Sequence, residues 1–267
     1  MSQTDIICKP TRDTFVRFGI VIAALLGFAL YFFYDASTGY RRQNEAICSY
    51  RAFAALGENA TRLSAAEWET WLAGRSLLTA QEEQGEYFFV DAADHRYPLP
   101  ATCEAIRTLP PEANNHAAMS RSWGDCWAAY SSRMHYPLKP GDHPHDESAI
   151  REQWYAGAIM AVLGLVLLFF AIRTRCRELA LRGDTVTAAG RSFTISEIEC
   201  IDLRQWGKGF KGVAYFRVGG RRIRVDGMTY GGFSKERGEP AEVFMQAVLA
   251  RYKGDIVEYE AAVDQAQ

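Results

Sequence analysis

The run Asp142-His143-Pro144-His145-Asp146 is the densest group of side chains in this chain able to ligate a metal or move a proton. Imidazoles and carboxylates are the usual ligands of zinc-like ions, so His143 and His145 supply the beginning of such a site. Pro144 constrains the backbone between them, and no third ligand is placed by spacing. The run also follows Pro137 and Pro140 in a Pro/Gly-rich connector, whose simpler reading is a solvated linker. Cys48, Cys103 and Cys126 lie in the same part of the chain. In an oxidising compartment three cysteines allow one disulfide, its pairing open, and leave one thiol over. No Cys-x-x-Cys is present to suggest an oxidoreductase. These groups define one functional alternative: an extracytoplasmic ligand or metal sensor, or a thiol- or metal-dependent envelope enzyme.

A second group lies nearer the C-terminus. Gly207-Lys208-Gly209-Phe210-Lys211-Gly212 matches Gly-x-Gly-x-x-Gly, but a dinucleotide site needs a helix after the loop and here the pattern continues as a strand. Neither His-Arg-Asp nor Asp-Phe-Gly follows, as a kinase would require. The charge is more informative. From Leu203 to Val225 stand Arg204, Lys208, Lys211, Arg217, Arg221, Arg222 and Arg224, with no acidic residue. Beside a membrane such a cluster faces anionic headgroups, each basic group contributing about 1 kcal/mol; the plain alternative is a solvated sheet face. No nucleic-acid-binding motif accompanies it. The sequence offers no catalytic constellation and implies no cofactor, so the expected function is binding without catalysis.

These groups must be positioned by elements of very different character. Trp154 to Ile172 is nineteen residues without a charge, followed by Arg173, Arg175 and Arg177; as a helix it is about 28 Å long, close to the roughly 30 Å hydrocarbon core of a bilayer. Phe18 to Tyr34 is a second uncharged run, read as an uncleaved anchor rather than a signal peptide, because no clean small-x-small cleavage site follows it. The predicted boundaries are a cytoplasmic tail over 1–14, spans over 15–34 and 154–172, an extracytoplasmic domain over 35–153 and a cytoplasmic domain over 173–267. Charge follows the same division. Lys+Arg against Asp+Glu number 3 and 2 over 1–34, 11 and 17 over 35–153, and 16 and 13 over 154–267. Near the spans, Lys9, Arg12, Arg17, Arg173, Arg175, Arg177 and Arg182 outnumber Arg41, Arg42 and Arg151, which places both termini in the cytoplasm. Gly19, Ala23 and Gly27, and Gly157, Ala161 and Gly164, form small-residue stripes suited to pairing the two helices or two copies.

The middle segment reads as mainly helical. A helix is expected over Gln43 to Leu56 with Gly57 as its C-cap, and another after the capping-box spacing Ser64 to Glu67. A short strand is expected at Tyr87 to Val90 and a short helix near Cys103 to Thr108. Trp123, Cys126, Trp127, Tyr130 and Met134 form the packing stripe of a third substantial helix. From about Glu147 a helix runs into the second span. Beyond it the period becomes alternating. Strands are expected at Glu178 to Arg182, Thr185 to Ala188, Arg191 to Ile195, Cys200 to Arg204, Gly212 to Val218 and Arg221 to Asp226, with Gly183-Asp184, Ala189-Gly190 and Gly219-Gly220 as turns. A helix after Pro240, with Val243, Phe244, Ala247, Val248 and Tyr252 on its apolar side, guards the sheet.

The Ile201-Asp202 strand, Trp206 in the following loop and the terminal amphipathic helix resemble the pleckstrin-homology-like domains of bacterial membrane proteins. Trp127-Ala128-Ala129-Tyr130 with Arg133-Met134, and Asp226-Gly227-Met228-Thr229-Tyr230-Gly231-Gly232-Phe233, resemble a family of two-pass bacterial proteins whose motifs carry no known chemistry. The resemblance implies an α+β membrane protein with two transmembrane helices, a small mainly helical extracytoplasmic domain and a cytoplasmic pleckstrin-homology-like sheet or barrel capped by a C-terminal helix. The expected place is the bacterial inner membrane. The expected partners are a protein or anionic lipid headgroups, with self-association through the spans and no nucleic acid.

Overall fold

Two helices carry most of the exposed apolar surface. They are α1 (Arg12–Tyr34) and α5 (Glu147–Arg175), along which Ile20, Phe28 and Leu30, and Ile159, Val162, Leu165, Phe169 and Ile172, all face outward. Their most apolar stretches are only 6% and 17% buried, where the core helix of a soluble protein would be mostly covered. Both are long and apolar enough to cross a membrane. Helix α5 begins at Glu147, as the pattern predicts. The computed structural model describes residues 5–206, 212–231 and 239–258. They fall into a split unit, formed by residues 1–25 with 162–267, and a central unit of residues 26–161.

In the central unit α1 gives way to a π-helical turn over Asp35–Gly39 and then to α2 (Tyr40–Arg62). A single extra residue per turn is the signature of π-helix, which concentrates at functional positions. The Asp35 carboxylate lies over the bare Cα of Gly39, where a Cβ would be 2.5 Å from its Oδ1. Helix α3 (Ala65–Leu72) starts with the predicted capping box: Ser64 N–H donates to Glu67 Oε2 at 2.9 Å, and Glu67 N–H points back at Ser64 Oγ at 3.5 Å. Helix α4 (His116–Met134) buries Cys126, Trp127 and Tyr130 with Phe53 and Trp68 in one core.

Two expectations change here. Gly57 caps nothing. It lies buried inside α2, where its bare Cα accommodates Trp123 of α4, and a Cβ would come within 2.5 Å of the Trp123 Cβ and Cγ. The end of α2 is closed instead by His116, whose Nε2 lies 3.0 Å from the carbonyl oxygens of both Ala60 and Leu63. The unit is also less helical than expected, because β2 (Ala80–Glu83), β3 (Glu86–Val90) and β4 (Arg96–Leu99) form an antiparallel sheet. Only β3 is legible as an apolar run; β2 is Ala-Gln-Glu-Glu and β4 contains Pro98. Gly157, expected in a small-residue stripe, receives Phe33, whose ring a Cβ would meet at 2.6 Å, whereas Gly19 and Gly27 have no atom within 4 Å of theirs.

The split unit contains the six predicted strands, β5 (Leu179–Arg182), β6 (Thr185–Ala188), β7 (Arg191–Thr194), β8 (Ile198–Gln205), β9 (Val213–Val218) and β10 (Arg221–Asp226). The turns Ala189-Gly190 and Gly219-Gly220 hold positive φ at both residues, the geometry that two-residue hairpins favour. Two further strands were not legible. β1 (Ile6–Cys8) lies where a tail is expected and pairs antiparallel with β5, Cys8 opposite Leu179. β11 (Asp255–Val257) pairs parallel with β8. Among the described residues these eight strands make two four-stranded sheets, β1-β5-β6-β7 and β10-β9-β8-β11.

Both sheets turn their apolar faces to a single core containing Leu179, Leu181, Phe193, Ile201, Phe216 and Val225. After β10 come the short α6 (Gly227–Gly231) and α7 (Pro240–Leu249), and α7 closes the core with Phe244, Met245 and Val248; Val243, expected on that side, is exposed. Trp206 anchors the end of β8 by donating to Glu242 Oε2 of α7 at 2.8 Å. Cys8 is 2% exposed in this core, its thiol directed at the Pro240 carbonyl at 3.2 Å and pushed up to about 11 by burial.

Candidate functional site

The alternation of β8, β9 and β10 sorts the basic cluster. Ile223 and Val225 point into the core, so Arg222 and Arg224 share the outer face. Register sets Arg222 beside Arg217, and Arg224 beside Tyr215. Arg204 stands one residue before the end of β8, on the other side of β9, and Arg221 is exposed at the hairpin. Lys208 and Lys211 lie outside the described residues. The face is less basic than its strand sequence suggests, because two carboxylates just outside the acid-free stretch fold back onto it. Asp202 accepts from Arg204 at 2.8 Å and from Arg222 at 3.1 Å, and Asp226 accepts from Arg224 at 2.7 Å. Arg204 holds the Asp202 carboxyl at about 2, so this pairing persists across physiological pH. Arg222 lies 3.6 Å above the Tyr215 ring. The result is a mixed-charge surface of arginine, tyrosine and aspartate, a composition suited to a polar protein contact.

In the central unit, His143 and His145 line a cavity of about 610 Å³ with Asp35, Arg42, Gln43 and Tyr136. His145 is tightly held. Its ring stacks on Tyr40 at 3.8 Å, and its Nε2 lies 2.8 Å from Gln43 Oε1. Asn44, fully buried, receives the His145 N–H and donates to its carbonyl at 2.6 and 2.8 Å. Arg51 donates to the Asp142 carbonyl, fixing the start of the same connector. Burial holds the His145 ring below its ordinary value, which favours its uncharged form. Among the described residues no three His, Cys, Asp or Glu side chains gather to hold a metal ion. The linker expected around His143 and His145 is therefore a clamped wall. Sequence reasoning missed Asp35, which is 6% exposed, lines the cavity and forms no ion pair with any described basic side chain. A carboxylate at the water-facing end of an apolar run reads from sequence as ordinary.

Cys48, Cys103 and Cys126 are all free and buried, packed in the central core as small apolar side chains. Desolvation raises all three thiols, Cys48 to about 12, and for Cys103 the neighbouring buried Glu45 adds to the effect. Thiols held protonated are poor nucleophiles and poor ligands, which argues against the thiol-dependent alternative. In the native protein at pH 8, a maleimide should modify exposed Cys176 rapidly and leave these three unmodified. All six cysteines should become reactive on denaturation without reductant, and two fewer would establish a bridge.

No protein-family model, no curated protein and no solved structure matches this chain.

Proposed function

We propose that the chain is a two-pass protein of the bacterial inner membrane, with both termini cytoplasmic, and that its β-rich module serves as an interaction or scaffolding domain at the inner leaflet. The pairing of β1 with β5 carries this reading. β1 precedes the first apolar helix and β5 follows the second, and two strands can pair only in the same compartment. A chain that crosses twice returns to the side it left, and the excess of Lys and Arg near the outer ends of α1 and α5 favours the cytoplasm for that side. The pleckstrin-homology-like description rests on strands β5 to β10 closed by α7, to which this chain adds β1 and β11. The mixed Arg217, Arg222, Arg224, Asp202 and Tyr215 face is the surface offered to a protein partner. The function is binding, with no side chain assigned to catalysis.

Topology is the decisive measurement. A fluorescent-protein fusion after Gln267 should be bright. An alkaline phosphatase inserted at Gly85, in the exposed β2–β3 turn, should be active. Phosphatase activity at the C-terminus would reject the scheme.

A further inference from the structure

The strand pairing that closes the module also gathers charge. Cys8 sits opposite Leu179, and the two chains continue from that pair toward α1 and away from α5. Lys9 and Arg12 follow Cys8 within four residues, and Arg177 and Arg175 precede Leu179 within four. All four line one cavity of about 710 Å³, together with Pro10, Phe15, Cys176 and Glu178. The acid does not neutralise them, since Glu178 accepts from Arg182 at 2.7 Å. Among the described residues Lys9, Arg12, Arg175 and Arg177 make no ion pair. Like charges held together repel unless an anion sits among them, and a cleft of one sign concentrates such an anion. One wall is apolar: Phe15 faces the cavity, and Val16 and Ile20 of the same helix are exposed beyond it.

We infer that this cavity binds the phosphate of an anionic phospholipid headgroup, with Lys9, Arg12, Arg175 and Arg177 as its ligands and the exposed side chains of α1 beside the acyl chains. The inference rests on the proposed membrane insertion and names a lipid site separate from the arginine sheet face. The chemistry matches. Arg presents a fork that engages phosphate oxygens in pairs, Lys adds a point charge, and basic pockets at the cytoplasmic ends of membrane helices are suited to such headgroups. Bound lipid would brace the β1–β5 pair against the bilayer, joining the two chain segments that enter and leave the membrane.

The test uses the full chain in neutral detergent, titrated with short-chain phosphatidylglycerol, with phosphatidylcholine and inorganic phosphate as separate arms, and bound molecules counted by native mass spectrometry. Phosphatidylglycerol should bind in preference to phosphatidylcholine. Arg12→Gln with Arg177→Gln should weaken it about 30-fold, from two charges. Should that variant fold poorly, Lys9→Gln with Arg175→Gln, both at exposed positions, should show a similar loss. Arg217→Gln with Arg221→Gln removes the same charge from the sheet face and should change little. Equal binding of the two lipids, a loss confined to the sheet-face variant, or inorganic phosphate binding as tightly as the lipid would each overturn the inference. Alkaline carbonate extraction separates the two readings. A protein released from membranes fails the insertion scheme, whereas one retained yet indifferent to phosphatidylglycerol fails only the lipid site.

Discussion

Deleting residues 1–9 should destabilise strands that begin some 170 residues later in the chain. The deletion removes β1 and with it the buried Cys8, the partly buried Ile6 that packs on the same core, and the backbone bonds to Leu179, Ala180 and Leu181. Burial of an apolar side chain contributes about 1.5–3 kcal/mol and a net backbone hydrogen bond about 1 kcal/mol. A loss of about 3–5 kcal/mol follows, a large part of the roughly 5–15 kcal/mol that holds a domain folded. The measurement is amide exchange at Ala180 and Leu181, both fully buried, with proteolysis after Arg182 as a second readout. Exchange there should quicken by more than a hundredfold. Unchanged protection would mean that β1 adds nothing to the module, and would remove the main support for a same-side topology.

The second large effect is expected at Gly57. In Gly57→Ala the new methyl would lie 2.5 Å from the Trp123 Cβ and Cγ, and the Cβ is fixed to the α4 backbone, so no rotamer change can withdraw it. Helix propensity alone would favour Ala by about 1 kcal/mol. Overpacking works against it by about 1–3 kcal/mol or more, and here the strain falls between two helices that share the central core. The net prediction is a loss of up to about 2 kcal/mol in urea unfolding of the full chain. In a Trp123→Gly background the same substitution should be neutral or stabilising, because the obstructing atoms are gone. A stabilising Gly57→Ala in the wild-type background would show that α2 and α4 do not cross closely at this residue.

Gly57 also illustrates how sequence and structure part company. A glycine at the end of an apolar helical pattern is most simply a C-cap, and nothing within α2 says otherwise. What makes it an interior residue is Trp123, distant in sequence and brought there by packing. The cysteines part from their sequence reading in the same way. Composition and compartment allow a bridge among Cys48, Cys103 and Cys126, but each side chain is enclosed by its own apolar neighbours. The arginine cluster was legible as charge and not as a surface, since Asp202 and Asp226 lie just outside the acid-free stretch and only strand register returns them to it.

The sequence by itself determined the two apolar helices, the Ser64 capping box, the α4 stripe and the strands β5 to β10. Each is written in a period of 3.6 or 2, a glycine turn or an uncharged run, all of which act over a few neighbouring residues. Only the tertiary structure decided that Ile6-Ile7-Cys8 is a strand, that Asp35 faces a cavity, and that Lys9 and Arg12 meet Arg175 and Arg177. A three-residue strand has too few residues to display a period, and its stability comes from an edge supplied by β5. Which residues converge on a site is set by contacts between segments far apart in the chain, and no local pattern encodes them.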